Sequence, residues 1–260
     1  MTQLNTTGTN PISKISQEII NAVKAKINIA NIQNYDDLMK LANSSVSIWG
    51  TDIKTDEQKT NAYKQYSEKL LLEYYDLNKD GKVTTEEFAK KEEECSIKGM
   101  NLQEQKINEM VIKEIESNPE QLSFYDTNGD KKVSKEEYTN TLKKFGLDTT
   151  TNKNETIAKR GANLFAGNLD MNEDGIISAQ ELAFFNENAD ACDGKIDGKI
   201  TNLGESAMFS AITGQNANDT EINRVVNKYL LGEELSTEEQ AILEKSKKTI
   251  RNNMRKAAGI

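Results

Sequence analysis

Three twelve-residue segments of this 260-residue chain carry oxygen-bearing side chains at one shared spacing. They occupy residues 76–87, 126–137 and 170–181, and are named loop one, loop two and loop three. Each has Asp at positions 1 and 5, Asn at position 3, a hydroxyl side chain at position 9 and Glu at position 12. This spacing lets one short segment surround a single cation, so each repeat predicts a tight cation-binding loop.

The kinds of donor in these loops indicate the metal. Side-chain oxygens and the backbone carbonyl at position 7 supply the six to eight hard oxygen ligands that Ca²⁺ takes. The last Glu can bind through both of its oxygens, which favours Ca²⁺ over Mg²⁺. The predicted ligands, with position 7 acting through its carbonyl, are Asp76, Asn78, Asp80, Lys82 and Glu87; Asp126, Asn128, Asp130, Lys132 and Glu137; and Asp170, Asn172, Asp174, Ile176 and Glu181.

The loops and their flanks resemble the EF-hand calcium-binding family, in which each loop joins two helices and the whole unit is called a hand. In paired hands of that family, an apolar residue at position 8 contacts the partner loop, and Val83, Val133 and Ile177 occupy that position here. The resemblance covers about residues 56–214 and is nearest to four-hand proteins of the calmodulin and calerythrin type. Apolar residues at helical spacing flank the loops: Leu71, Leu72, Tyr75 and Phe88; Leu122, Tyr125, Tyr138, Leu142 and Phe145; Ala162, Phe165, Ala166, Leu169, Leu182 and Phe185.

Loop two departs from the pattern at position 6, where Lys131 replaces the usual Gly. This position requires a positive φ, which costs a non-glycine residue on the order of 1 kcal/mol. Gly129 lies at position 4 and cannot serve position 6. We therefore expect loop two to bind calcium more weakly than loops one and three.

A fourth segment, residues 193–204 or loop four, fits the pattern only in part. Lys195 puts a cation at position 3, and Gly204 removes the carboxylate from position 12. Loop four is either a degenerate hand kept for packing or a weak metal site, and its pairing with loop three is left open because only a short helix fits between them. The weak ligand candidates are Asp193, Asp197, the carbonyl of Lys199, and Glu205, which lies one residue late.

The predicted fold class is all-α: three good hands and one degenerate hand, with extra N- and C-terminal helices. Helices are predicted at residues 11–27, 35–42 and 102–115, and helix starts near Asp56, Pro119, Asp219 and Ser236. The predicted units are a helical extension (1–55), a first lobe with loops one and two (56–146), a linker (147–154), a second lobe with loops three and four (155–214) and a second helical extension (215–260).

Composition narrows the function. The formal net charge of −9 suits cation binding and argues against a nucleic-acid partner. The chain has no His, which excludes Ser-His-Asp and Cys-His catalysis. Its two Cys, Cys95 and Cys192, form no CxxC, so we expect buried or free thiols and no disulfide scaffold. No 18-residue apolar run and no signal-peptide pattern occur, so we expect a cytoplasmic protein without a membrane span, with export by a signal-less route as the alternative.

The last helix carries six cations and one acid between residues 243 and 257, with Leu243, Ile250 and Met254 on one face. Three interpretations are open: a terminal helix packed on the core, an internal target for an acidic lobe, or a surface for a membrane or partner. The cations are Lys245, Lys247, Lys248, Arg251, Arg255 and Lys256.

The sequence favours a calcium buffer or sensor without catalysis, whose protein partner would bind a calcium-exposed apolar groove. The alternative is a structural or interaction module, exported or not, in which calcium is a permanent folding ligand. An enzyme is disfavoured because residues 1–55 and 215–260 contain no nucleophile constellation and no glycine-rich phosphate loop.

Overall fold

The computed structural model describes residues 16–147, 152–215 and 217–260. Most of its helices have a Ser, Thr, Asn or Asp at the N-cap position. The described residues form an all-α fold with eleven α-helices and two three-residue strands. The helices are α1 (Gln17–Ile27), α2 (Tyr35–Ala42), α3 (Asp56–Leu70), α4 (Thr85–Ser117), α5 (Pro119–Tyr125), α6 (Lys135–Lys144), α7 (Asn152–Leu169), α8 (Ala179–Ala191), α9 (Asn202–Thr213), α10 (Thr220–Leu231) and α11 (Thr237–Ala258). The strands are β1 (Ser45–Ser47) and β2 (Lys199–Thr201).

Most predicted helix starts are confirmed, because local capping chemistry determines them. Ser236 caps α11 through a reciprocal capping box, and Pro119 occupies the first turn of α5. The helix predicted at 35–42 and the starts near Asp56 and Asp219 are also found. Residues 11–15 of the first predicted helix and 148–151 of the predicted linker lie outside the described residues.

The separate helix predicted at 102–115 is wrong, because α4 continues without a break from loop one to Ser117. A glycine inside a helix costs about 1 kcal/mol, and the helix passes through Gly99 despite that cost. The extensive packing of α4 against α7 stabilises the continuous helix, and this contact between distant segments cannot be predicted from the local sequence.

Loop one pairs with loop three, and this corrects the expected lobes. The Ile177 amide donates to the Val83 carbonyl at 2.8 Å, and the Thr85 amide donates to the Gly175 carbonyl at 3.0 Å. Thr84 and Ile176 face each other across this short antiparallel bridge. The pairing therefore crosses the predicted linker instead of joining loop one to loop two.

Loop four pairs with the N-terminal extension, which was expected to be helical only. Strand β1 is antiparallel to β2, with Val46 opposite Ile200. The Ile48 amide also donates to the Gly198 carbonyl at 2.7 Å. Gly198 has a φ of 80°, and a Cβ there would lie 2.5 Å from the Trp49 ring, so the close approach requires glycine. Loops three and four share α8 but not a pairing edge.

The hydrophobic core is built around the paired hands. One cluster joins α1, α3, α4, α7, α8, α9 and the end of α11, and includes Phe88, Phe165 and Leu169. A smaller cluster joins α7, α10 and α11. The buried members that the two clusters take from the terminal helices are Ile19, Ala22 and Val23 from α1, Val225, Val226 and Leu230 from α10, and Leu243 and Met254 from α11.

Of the three interpretations of the C-terminal helix, the structure agrees with a terminal helix packed on the core. Leu243 and Met254 are buried, and Ile250 packs against the main core. Lys248 and Arg255 remain exposed on the opposite side. Among the described residues, no helix is both long enough and apolar enough to cross a membrane.

Hand two, formed by α5, loop two and α6, lies outside both clusters. Phe124 and Phe145 are 54% and 60% exposed, with their ring centroids 5.5 Å apart. Helices α5 and α6 of this hand contact α4.

We expect Phe88→Ala to lower the free energy of unfolding by about 3–5 kcal/mol, because this fully buried ring stacks on Tyr75. Phe145→Ala is the matched control, and we expect a change of about 0.5 kcal/mol or less at this exposed ring. Urea unfolding of both variants, followed by circular dichroism, measures the difference. Equal losses would contradict the assignment of the core to the paired hands.

Candidate metal centres

The first Asp of each loop holds the loop backbone in the same way. In loop one, the two carboxylate oxygens of Asp76 accept the amides of Asp80 at 3.2 Å and Gly81 at 3.0 Å. The same two bonds recur from Asp126 to the amides of Asp130 and Lys131, and from Asp170 to the amides of Asp174 and Gly175. The side chain at position 1 therefore holds the backbone of positions 5 and 6 in all three loops.

Positions 3 and 5 are linked to each other in all three loops. In loop one, the Asn78 side-chain oxygen accepts the Asp80 amide at 2.9 Å, and the Asn78 side-chain amide donates to the Asp80 carboxylate at 3.1 Å. The Asp80 carboxylate also accepts the Lys82 amide at 2.9 Å. These bonds place two predicted ligand side chains and the position-7 peptide in one hydrogen-bonded unit.

The Glu at position 12 ties the exit helix to both ends of its loop. One Glu87 oxygen accepts the amide and hydroxyl of Thr84, both at 3.0 Å, and the other accepts the Asn78 amide at 3.2 Å. Glu137 and Glu181 make equivalent bonds in their own loops. This carboxylate thus connects the start of the loop with the first turn of the exit helix.

These bonds also favour the ionised carboxylate. The Ser134 amide, its hydroxyl and the Thr127 hydroxyl lower the pKa of Glu137 to about 2. The Thr84 amide likewise lowers the pKa of Glu87. Metal ligands must be deprotonated, so both side chains are in the form that calcium requires at neutral pH.

Backbone geometry removes the reason for expecting a weaker loop two. Lys131 has a φ of 66°, as position 6 requires, but Gly129 at position 4 has a φ of 77°. In loops one and three the order is reversed, because Lys79 and Glu173 adopt positive φ at position 4. Each loop therefore contains one non-glycine residue in the left-handed region, so loop two carries no additional backbone strain.

The described residues contain no group of three or more Asp, Glu or Cys side chains gathered closely enough to form a metal site by themselves. Each EF-type loop offers a mixed set instead, with carboxylate, amide and backbone carbonyl oxygens. Such a set is the chemistry that Ca²⁺ takes, so the residues of loops one to three fit this ion.

Loop four uses an Asp that the twelve-residue spacing did not reveal. The Gly198 amide donates to Asp190 at 2.8 Å, which is the bond that Gly81 makes to Asp76 in loop one. Asp190 is buried three residues before Asp193 and also accepts the Tyr63 hydroxyl. Burial, followed by this hydrogen bond, raises the pKa of Tyr63. The sequence signal was present only as an Asp at the end of α8.

Two of the predicted ligand side chains of loop four have partners within the loop. Asp193 accepts the Lys195 amide at 2.9 Å, and Asp197 lies beside the Lys199 ammonium at 3.5 Å. A Cβ at Gly204 would lie 2.1 Å from the Ala189 carbonyl, so no Glu fits at position 12.

Glu205, suggested as a late ligand, is instead paired with Lys26 of α1 at 2.6 Å. Burial alone would lower the pKa of Lys26, but the adjacent Glu205 carboxylate raises it. Glu205 therefore has the Lys26 ammonium as its partner, and the packing interpretation of loop four agrees better with this geometry than the metal-site interpretation.

A family model described as EF hand matches residues 69–90 and 168–185, which contain loop one and loop three with parts of their flanking helices. These two matched regions support an EF-hand calcium-binding family for the chain. Loops two and four lie outside the matched residues. No curated protein and no solved structure matches the chain.

The depressed pKa of Glu137 predicts a loss of stability in acid. The pKa of Glu in an unfolded chain is about 4.3. The stabilisation of the folded state by ionised Glu137 is therefore fully present above that pH and is lost as the pH falls toward about 2. We expect the Tm of the metal-free protein to fall less steeply over this range in Glu137→Gln than in the unaltered chain. Thermal melts between about pH 5 and about pH 2 measure this difference, and parallel curves would contradict it.

Proposed function

We propose that this chain is a non-catalytic protein that binds one Ca²⁺ ion in each of loops one, two and three. The observation that carries the proposal is the repeated arrangement in which Asp at position 1 accepts the amides of positions 5 and 6, while Glu at position 12 joins both ends of the loop. The ligands are the fifteen residues that the spacing predicts. Loop four is assigned a packing role.

The residues of each loop would place the ligand oxygens, and the bound ion would neutralise the negative charge of the carboxylates. Bound Ca²⁺ would neutralise carboxylates that otherwise repel one another, and three ions would change the formal net charge from −9 to −3. The hydrogen bonds within each loop hold its backbone in the conformation that places the ligand oxygens around one ion, and such restraint lowers the conformational entropy lost on binding.

The space between the helices of the paired hands is filled by the chain itself. A cavity of about 160 Å³ remains there, walled by Phe88 and Phe165 of the paired hands, by Lys26 of α1 and by Phe209 of α9. The occupants are therefore α1 and α9, and not the basic C-terminal helix that was considered as an internal target. Helix α11 contacts loop three through Arg251, whose guanidinium lies 3.4 Å from the Glu173 carboxylate.

A filled groove favours a buffer over a sensor that exposes an apolar surface. It also favours a second candidate function, a structural module in which calcium is a permanent folding ligand. Affinity separates the two, because sensors and buffers bind at about 10⁻⁵ M or tighter and extracellular modules at about 10⁻⁴–10⁻³ M.

We expect isothermal titration of the unaltered chain, with about 1 mM Mg²⁺ present, to give three calcium sites. Glu87→Gln, Glu137→Gln and Glu181→Gln should each remove one site, because each variant loses the bidentate carboxylate. Glu86→Gln and Glu136→Gln are the matched controls, since both side chains are exposed neighbours of the proposed ligands. Full stoichiometry in the position-12 variants would overturn the proposal.

A further inference from the structure

The position-8 amide of loop two is satisfied by a side chain. The Val133 amide donates to the Glu116 carboxylate at 2.9 Å, and Val133 is 5% exposed. In the paired hands, the equivalent amide of Ile177 donates to the Val83 carbonyl of the partner loop at 2.8 Å. Glu116, in the last turn of α4, therefore occupies the place of a partner loop's backbone oxygen.

This hydrogen bond controls the direction of a predicted ligand. The Val133 amide and the Lys132 carbonyl belong to one peptide unit, and the described residues contain no cis peptide bond. In a trans peptide the N–H and C=O groups point in opposite directions. Holding the amide against Glu116 therefore turns the Lys132 carbonyl, the position-7 ligand, away from Glu116.

The charge of the acceptor adds to this effect. A carboxylate is a stronger acceptor than a backbone carbonyl, and hydrogen bonds polarise the groups that they connect. The Lys132 carbonyl oxygen thereby gains electron density and becomes a better ligand for a hard cation. The same bond covers an amide that would otherwise be an open pairing edge.

We propose that Glu116 is a positioning residue for the calcium site of loop two, in which it replaces the partner loop. This inference rests on the proposed function, because it assumes that loop two takes calcium. It explains how a hand outside the paired unit keeps an ordered loop. It also predicts that loop two binds calcium independently of the paired hands.

The first test isolates loop two in a Glu87→Gln, Glu181→Gln background, so that only one strong site titrates. Glu116→Met keeps the approximate length of the side chain and removes the acceptor, whereas Glu116→Gln keeps an oxygen acceptor. We expect Glu116→Met to weaken calcium binding about tenfold, the equivalent of about 1.4 kcal/mol, and Glu116→Gln to retain most of the affinity. Glu114→Met, at an exposed position on the same helix, is the control and should not change it.

The second test needs no metal. Hydrogen exchange of the Val133 amide in the metal-free protein should be slow in the unaltered chain and in Glu116→Gln, and at least about tenfold faster in Glu116→Met. Exchange of the Ile177 amide should be the same in all three chains.

The outcomes separate the two proposals. Absence of calcium binding in the background with Glu116 intact would overturn the proposed function at loop two and this inference with it. Binding that is present there but unchanged in Glu116→Met would overturn the role of Glu116 alone. Equal weakening in Glu116→Gln and Glu116→Met would also overturn it, because the acceptor would then not be the cause.

Discussion

The antiparallel bridge between loop one and loop three is the contact on which the rest of the structure depends. Two backbone hydrogen bonds, from Ile177 to Val83 and from Thr85 to Gly175, join segments that are far apart in the sequence. The bridge brings the helices on both sides of each loop together, so that Phe88 meets Phe165 in the core. Helices α1 and α9 then close the space between the paired hands, with Lys26 and Glu205 as a half-buried ion pair.

Loops two and four lack such a partner loop, and each satisfies its position-8 amide in another way. A loop of this kind leaves a position-8 amide to be satisfied, because unpaired buried amides are costly. Loop two uses the Glu116 carboxylate, and loop four uses strand β1. In loop four the adaptation goes further, since Asp190 supports Gly198 and the close approach of α8 leaves no space for a side chain at Gly204.

Local features of this fold could be predicted from the sequence, and long-range ones could not. The loops, the capping boxes and most helix starts follow from residue types a few positions apart. The pairing of loops one and three, the strand β1 and the continuation of α4 depend on contacts between distant segments. Asp190 was missed because a fixed twelve-residue count begins at Asp193. The backbone strain of loop two was overestimated, because its glycine lies at position 4 and its non-glycine residue at position 6, the reverse of loops one and three.

The central claim is that loop one is coupled to loop three and not to loop two. Calcium titration of Glu181→Gln, followed by the NMR amide signals of Gly81 and Lys131, tests this claim directly because these amides report on loops one and two separately. The account predicts that calcium binding weakens at loop one and is unchanged at loop two. Weakening at loop two, with loop one unaffected, would contradict it.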